Sequence, residues 1–318
     1  MRKTQNKTHI EGRVYDFTIA EKVTGETSKN PGTKYIGGQL DIATDEACLN
    51  VVKVEFTYVT ETTKAGKVNA TYSNLKKIID SGKTVLKDGK DAATMVKVDS
   101  AIGLNDFYTD RNGTEELVSA KRNQGGFVTL VSSLDEDESK RNTFEVDMLI
   151  NKVTHIDADE EKHIDKDYVV IAGAVFDYRN AILPTSFVVK SDSGMKYFES
   201  LDASAQNPVF TKVWGKINSS TIITRREEES AFGEPAVKEF SKTVREWVVT
   251  GTSKPDSTYE IGDEENGVTV EEIKKLMADR EVYLADIKKR ADDYKASKAA
   301  GATSSVASAP AAAGGFNF

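Results

Sequence analysis

The stretch "TYSNLKKIID" (71–80) decides how the rest of the chain is read. Its apolar residues Tyr72, Leu75, Ile78 and Ile79 fall at three- and four-residue spacing, and Gly82 follows, so it predicts a short helix with a stop. The segments around it have a period of two. Ahead of it, "NVVKVEFTYV" (50–59) puts Val52, Val54, Phe56 and Tyr58 on one face and Lys53, Glu55 and Thr57 on the other. "GRVYDFTIA" (12–20) and "KYIGGQLDIA" (34–43) are further strands, the second weakened or bulged at Gly37-Gly38 and preceded by a Pro31-Gly32 turn. Behind the helix, "MVKVDSAIGLNDFYTDRNGTEELVSAKR" (95–122) reads as an alternating strand, a polar hairpin and a returning strand that runs on through "GGFVTLV".

The same order recurs from Thr143. "FEVDMLINKV" (144–153), "YVVIAGAVFDY" (168–178) and "SFVVK" (186–190) are strands, "GMKYFESLD" (194–202) a short helix, and "VFTKVWGKINSSTII" (209–223) and "KTVREWVVTG" (242–251) strands again. First strands begin at Gly12 and Phe144, helices centre near Ile78 and Phe198, and post-helix strands begin near Met95 and Phe210. The landmarks keep their order, which predicts a duplicated architecture with diverged sequence.

Three strands, a helix and two more strands resemble the OB-fold, a five-stranded Greek-key barrel with a helix between its third and fourth strands. The stretches 95–122 and "FTKVWGKINSSTIITRREEE" (210–229) resemble the fourth and fifth strands of single-stranded-DNA-binding proteins. The expected fold class is therefore mainly β: an OB-like barrel over 8–134, a second over 142–255, an amphipathic helix over 268–298 and a flexible tail over 299–318. The helix is marked by a capping box at Thr269 and Glu272, a staple of Val268 and Ile273, and a stripe of Ile273, Leu276, Met277, Tyr283, Leu284, Ile287 and Tyr294. The tail, rich in Ala, Ser and Gly, ends in "GGFNF". In the family it resembles, such a tip docks replication and repair partners through a terminal aromatic, a role that would fall to Phe318 with Phe316 beside it. Family tips are acidic, whereas residues 299–318 hold no Asp or Glu. The two rings either dock a partner or pack back on the barrels or a neighbouring copy.

The net charge of −8 is unevenly spread: residues 1–131 carry +2, 132–258 carry −7 and 259–318 carry −3. A local basic stripe on such a chain still suffices for a polyanion. No apolar run approaches the roughly 18–20 residues that span a bilayer, and the N-terminus has no apolar core of a secretory signal. The single cysteine, Cys48, allows no internal disulfide and suits a reducing compartment, so a cytoplasmic protein is expected.

Catalytic motifs fail on inspection. "SGKT" (81–84) has Lys77 where a phosphate-binding loop needs glycine, and it follows a helix, not a strand. "HIDADEEKHIDKDY" (155–168) lacks the glycine and glutamate of a calcium loop, with Lys162 and Tyr168 in their places, and reads as a solvated acidic hairpin. His155 and His163 have no Cys or third His nearby. No enzyme, metal or cofactor is expected.

Binding chemistry has better support, because single strands are held by cations and by rings on which bases stack. Candidate nucleic-acid contacts are Lys34 with Tyr35; Lys53; Phe107 and Tyr108 with Arg111; Lys121 and Arg122 ahead of Phe127; Tyr178 with Arg179; Trp214 with Lys212 and Lys216; and Arg225 and Arg226. Any one ring can instead be barrel core. Trp214 shares its strand face with Lys212 and Lys216, opposite Val213, which suggests a ligand face; Trp247 is undecided. The expected function is sequence-tolerant binding of single-stranded DNA in phage or bacterial replication or recombination, with partners recruited through the tail and self-association possible through the 268–298 helix. One alternative is a non-enzymatic virion structural or assembly protein that uses its β-rich domains for protein contacts. Another is a recruiter of a replication enzyme that leaves DNA to the first barrel.

Overall fold

The computed structural model describes residues 4–26, 28–111, 113–159, 164–228, 236–253 and 267–299; of residues 220–228, 236–242 and 297–299 the backbone alone is considered. The first unit contains β1 (Asn6–Phe17), β2 (Ala20–Val23), β3 (Lys34–Ala43), β4 (Val51–Thr60), α1 (Ala70–Ser81), α2 (Val85–Asp88), β5 (Met95–Arg111) and β6 (Thr114–Leu130). The second contains β7 (Asn142–Ile156), β8 (Tyr168–Phe176), β9 (Ile182–Val189), α3 (Asp192–Ser200), β10 (Val209–Glu228) and β11 (Ala236–Thr252), and α4 (Val270–Ala299) follows.

Each unit closes as an OB-type barrel. In the first, β1 pairs with β3 and β5, β3 with β4 and β5 with β6, and a short parallel pairing of β4 with β6 shuts the ring through Val54↔Asn123. The second repeats the scheme with β7, β8, β9, β10 and β11, closed in parallel by Val248↔Val188. The helix stands where the change of period placed it. Asn69 caps α1 by accepting from the Thr71 amide, and Gly82, at φ 60°, returns its N–H to Ile78 O and ends the helix. Its buried face, Tyr72, Leu75 and Ile78, plugs the first barrel; Phe198 of α3 plugs the second. The bulge expected at Gly37-Gly38 is present as a register shift between Ile36 and Gly38.

The two barrels are joined more closely than tandem beads. β1 also pairs with β7, from Asn6↔Val146 to Ile10↔Asn142, so all eleven strands form one sheet. One apolar cluster runs through both barrels, from Leu75 and Ile78 by way of Ile10, Val98, Phe144 and Val146 to Phe187 and Phe198. Buried Thr8 and Ser100 meet hydroxyl to hydroxyl at 2.5 Å beneath the seam. Trp247 belongs to this core: it is 9 % exposed and its ring centroid lies 5.4 Å from that of Phe144.

α4 straps the units together. Val268, Ile273 and Leu276 pack on Leu149, Ala174, Phe176, Ile182 and Phe210 of the second barrel. Further along, Arg280 makes a bidentate pair with Asp106 of β5 at 2.8 and 2.6 Å, and Lys288 and Lys295 both reach Glu115 of β6. The expected stripe is corrected here: Met277, Tyr283 and Tyr294 are exposed, and Arg280 turns inward in their stead because its partner carboxylate is buried.

Candidate nucleic-acid interface

The β1–β7 seam puts side chains from both barrels on one open sheet face. Directly paired residues share a face, and the register makes a row: Phe127 of β6 faces Asp99 of β5, Asp99 faces His9 of β1, His9 faces Thr143 of β7, and Thr143 faces Lys216 of β10. A parallel row holds Lys7, Glu145 and Trp214. Four inter-strand steps separate Phe127 from Lys216, about 19 Å at the usual strand spacing. These residues line a groove of about 680 Å³.

A ring stands in each half of the groove. Phe127 is 76 % exposed and Trp214 39 %. Phe127 is turned outward just after a bulge in the β5–β6 pairing, where Gly126, at φ 111°, brings its backbone against Asp99; a Cβ there would lie 2.1 Å from Asp99 O. Trp214 lies on the backbone of Gly251, where a Cβ would come within 2.5 Å of the indole. One indole face is thereby supported while the side chain stays partly open to the groove.

The groove's charges are unevenly neutralised. Glu145 is held by Lys212 at 2.9 Å, and Asp99 Oδ1 accepts from His9 Nδ1 at 2.7 Å, with Glu11 3.5 Å from the other ring nitrogen. Lys7 and Lys216 form no ion pair within 4 Å among the described residues, and burial lowers the Lys216 pKa. Two rings, two ammonium groups outside any close ion pair among the described residues, Lys216 with Asp137 as a more distant counter-charge, and an open floor match what a single strand requires.

Of the residues singled out from sequence, Trp214, Lys216 and the ring of Phe127 meet here, and the structure adds Lys7 and His9. The others lie elsewhere. Lys212 lies on the groove's margin, committed to Glu145 and Gln5. Lys121 crosses between barrels: its Nζ donates to Ser186 O at 2.6 Å and sits 4.4 and 4.9 Å from the ring centroids of Phe187 and Trp247. Burial pushes its pKa down to about 7, while the rings and the carbonyl favour the charged form. Arg122 is paired with Glu55. Lys34 and Tyr35 lie on β3, Tyr35 with its ring 4.6 Å from that of Tyr58, and Lys53 is 3.8 Å from Asp41. Phe107 is exposed on the β5–β6 hairpin with Arg111 at its tip, and Tyr108, on the opposite face, lies under Lys288 of α4. Tyr178 is 82 % exposed in the β8–β9 turn with Arg179 over its ring. Arg225 and Arg226 lie on β10, with side chains outside the described residues; Phe316 and Phe318 lie outside the described residues altogether.

Away from the groove, His155, Asp157 and Asp167 cluster on an exposed surface of the acidic segment, where Glu199, 2.6 Å from His155 Nδ1, raises the His155 pKa. His163 lies outside the described residues.

The strand pairing defines a β protein of two fused OB-type barrels. The YorF family profile matches residues 4–290, and the chain belongs to that family. No curated protein matches it. Among solved structures it is similar to a deletion variant of the single-stranded DNA binding protein from Thermus aquaticus, at 10 % identity and a TM-score of 0.45, covering 83 % of this chain and all of that one. The wild-type form of that protein aligns at 9 % identity and a TM-score of 0.44, covering 80 % of this chain and 95 % of that one.

Proposed function

We propose that this protein binds single-stranded DNA, using the seam groove as a contact surface shared by both barrels. The observation that carries the reading is the convergence of Phe127, Trp214, Lys7 and Lys216, drawn from three strands and both barrels, on one open face. Rings accept any base by stacking, and the ammonium groups meet phosphates, so binding is broadly sequence-tolerant. The protein acts by binding alone, protecting unwound DNA during replication or recombination, in a phage or bacterial cytoplasm. Among the described residues no helix is long and apolar enough to cross a membrane. The tail with Phe316 and Phe318 supplies the contact for replication or recombination proteins, and the exposed side of α4 a surface for self-association.

Mobility-shift titration with single- and double-stranded oligonucleotides tests this reading. Retardation of the single strand at low salt, weakening steeply as salt rises, is expected. Equal affinity for duplex, or no complex at low salt, contradicts it. Large assemblies that form without DNA and take none up would favour an assembly protein.

A further inference from the structure

We propose that Asp99 makes the groove discriminate among bases: its carboxylate accepts a hydrogen bond from an exocyclic amine, so that cytosine- or adenine-bearing strands bind better than thymine strands. This rests on the reading that the groove holds a single strand.

A carboxylate on the path of a polyanion weakens binding unless it makes a contact of its own. The other acid of the groove, Glu145, is neutralised by Lys212. Asp99 has no Lys or Arg within 4 Å among the described residues; its partner is the His9 ring, and 58 % of its side chain is exposed. An ionised carboxylate cannot donate, so His9 Nδ1–H donates to Oδ1 and fixes the carboxylate's orientation, leaving Oδ2 for a further donor.

The position matters as much as the charge. Asp99 is directly paired with Phe127, the most exposed ring of the groove, on the neighbouring strand. A base stacked on Phe127 therefore presents its edge about one strand spacing away, over Asp99. Cytosine N4 and adenine N6 place an exocyclic amine at that edge, where thymine has O4 beside a methyl group; the one donor of thymine, N3–H, lies between two carbonyl oxygens. The acceptor-only carboxylate is satisfied by the exocyclic amine of the first two, whereas it reaches thymine N3–H only against the repulsion of the flanking O2 and O4.

The test compares oligo-dC and oligo-dT of equal length binding to the full chain by fluorescence anisotropy at mildly alkaline pH, for the wild type, Asp99→Asn and Asp99→Ala, with thermal midpoints confirming that each variant is folded. The expected result is about tenfold tighter binding of oligo-dC by the wild type, the effect of one charge-assisted hydrogen bond, and near-equal binding of the two strands by both variants. Equal wild-type affinities overturn the inference but leave the groove reading intact. So does Asp99→Ala tightening both strands alike, which would make the carboxylate a plain repulsive charge. If neither strand binds the wild type, the groove reading itself fails and takes this inference with it.

Discussion

At the scale of single residues, the account depends on two rings that fold stability does not need to expose. Truncating a ring on which a base stacks costs about 1–3 kcal/mol per base, so Trp214→Ala and Phe127→Ala should each weaken binding of a mixed-sequence strand by about five- to a hundredfold. Gly251→Ala should act indirectly, because its Cβ would sit 2.5 Å from the indole; displacement of Trp214 should appear as a changed tryptophan emission spectrum and weaker DNA binding. Glu46 gives a prediction on pH. Hydrogen bonds from Arg141 and then Arg13 lower its pKa from 4.5 to about 2. A depressed carboxylate contributes stability above its unfolded value and loses it as pH falls through the folded one. The contribution should thus be intact at neutral pH and vanish between about pH 4.5 and 2. Glu46 is 43 % exposed, which limits the effect to about 1 kcal/mol. Glu46→Gln should lower the thermal midpoint at pH 7 and make no difference near pH 2. The sequence marked Trp214 and Lys216 through shared strand parity. It hid Lys7 and His9, because "NKTHI" has no apolar alternation: its inward positions are Thr8 and Ile10, and Thr8 is satisfied by Ser100, not by apolar packing. Phe127 was visible as a ring, but its outward turn depends on the bulge opposite Gly126, which the residue pattern does not specify.

At the scale of elements, helix ends were legible and helix faces less so. The α4 capping box forms as written, with the Thr269 amide donating to Glu272 Oε2 at 3.0 Å and the Glu272 amide to Thr269 Oγ1 at 3.2 Å, and both staple residues are buried. The apolar stripe beyond it misled, since nothing in α4 itself announces that Asp106, far away in the chain, waits for Arg280. Arg280→Ala leaves Asp106, whose side chain is 1 % exposed, with an uncompensated charge. The expected loss is about 3 kcal/mol in chemical denaturation, with faster hydrogen exchange over the second half of α4. An unchanged midpoint would mean that the Arg280–Asp106 pair adds nothing net to the strap. The long hairpin β5–β6 was readable from its alternation, but α4 covers the face of that hairpin that bears Tyr108 and Glu115, which only the tertiary fold determines.

At the scale of the whole molecule, repetition of the strand–helix order revealed two barrels, but not that they share a sheet. Which strand lies along the outer edge of β1 is decided by the meeting of β1 and β7, and neither strand carries that information in its own pattern. The shared cluster predicts one cooperative transition for both barrels, with calorimetric and van't Hoff enthalpies equal; two separated transitions would deny the common core. A fragment cut near residue 135 should fold poorly, because it bares the edge of β1 and half of the core, so it would be a weak test of a reading in which the first barrel alone holds DNA. The more direct test uses the intact chain. Anisotropy titration of a labelled single strand against the wild type, Phe127→Ala, Trp214→Ala and the double variant places the ligand on the seam or off it. The account predicts that either substitution, made in either barrel, weakens binding at least fivefold and that the double variant binds weakest of all; undiminished affinity in the double variant would put the DNA on another surface and contradict it.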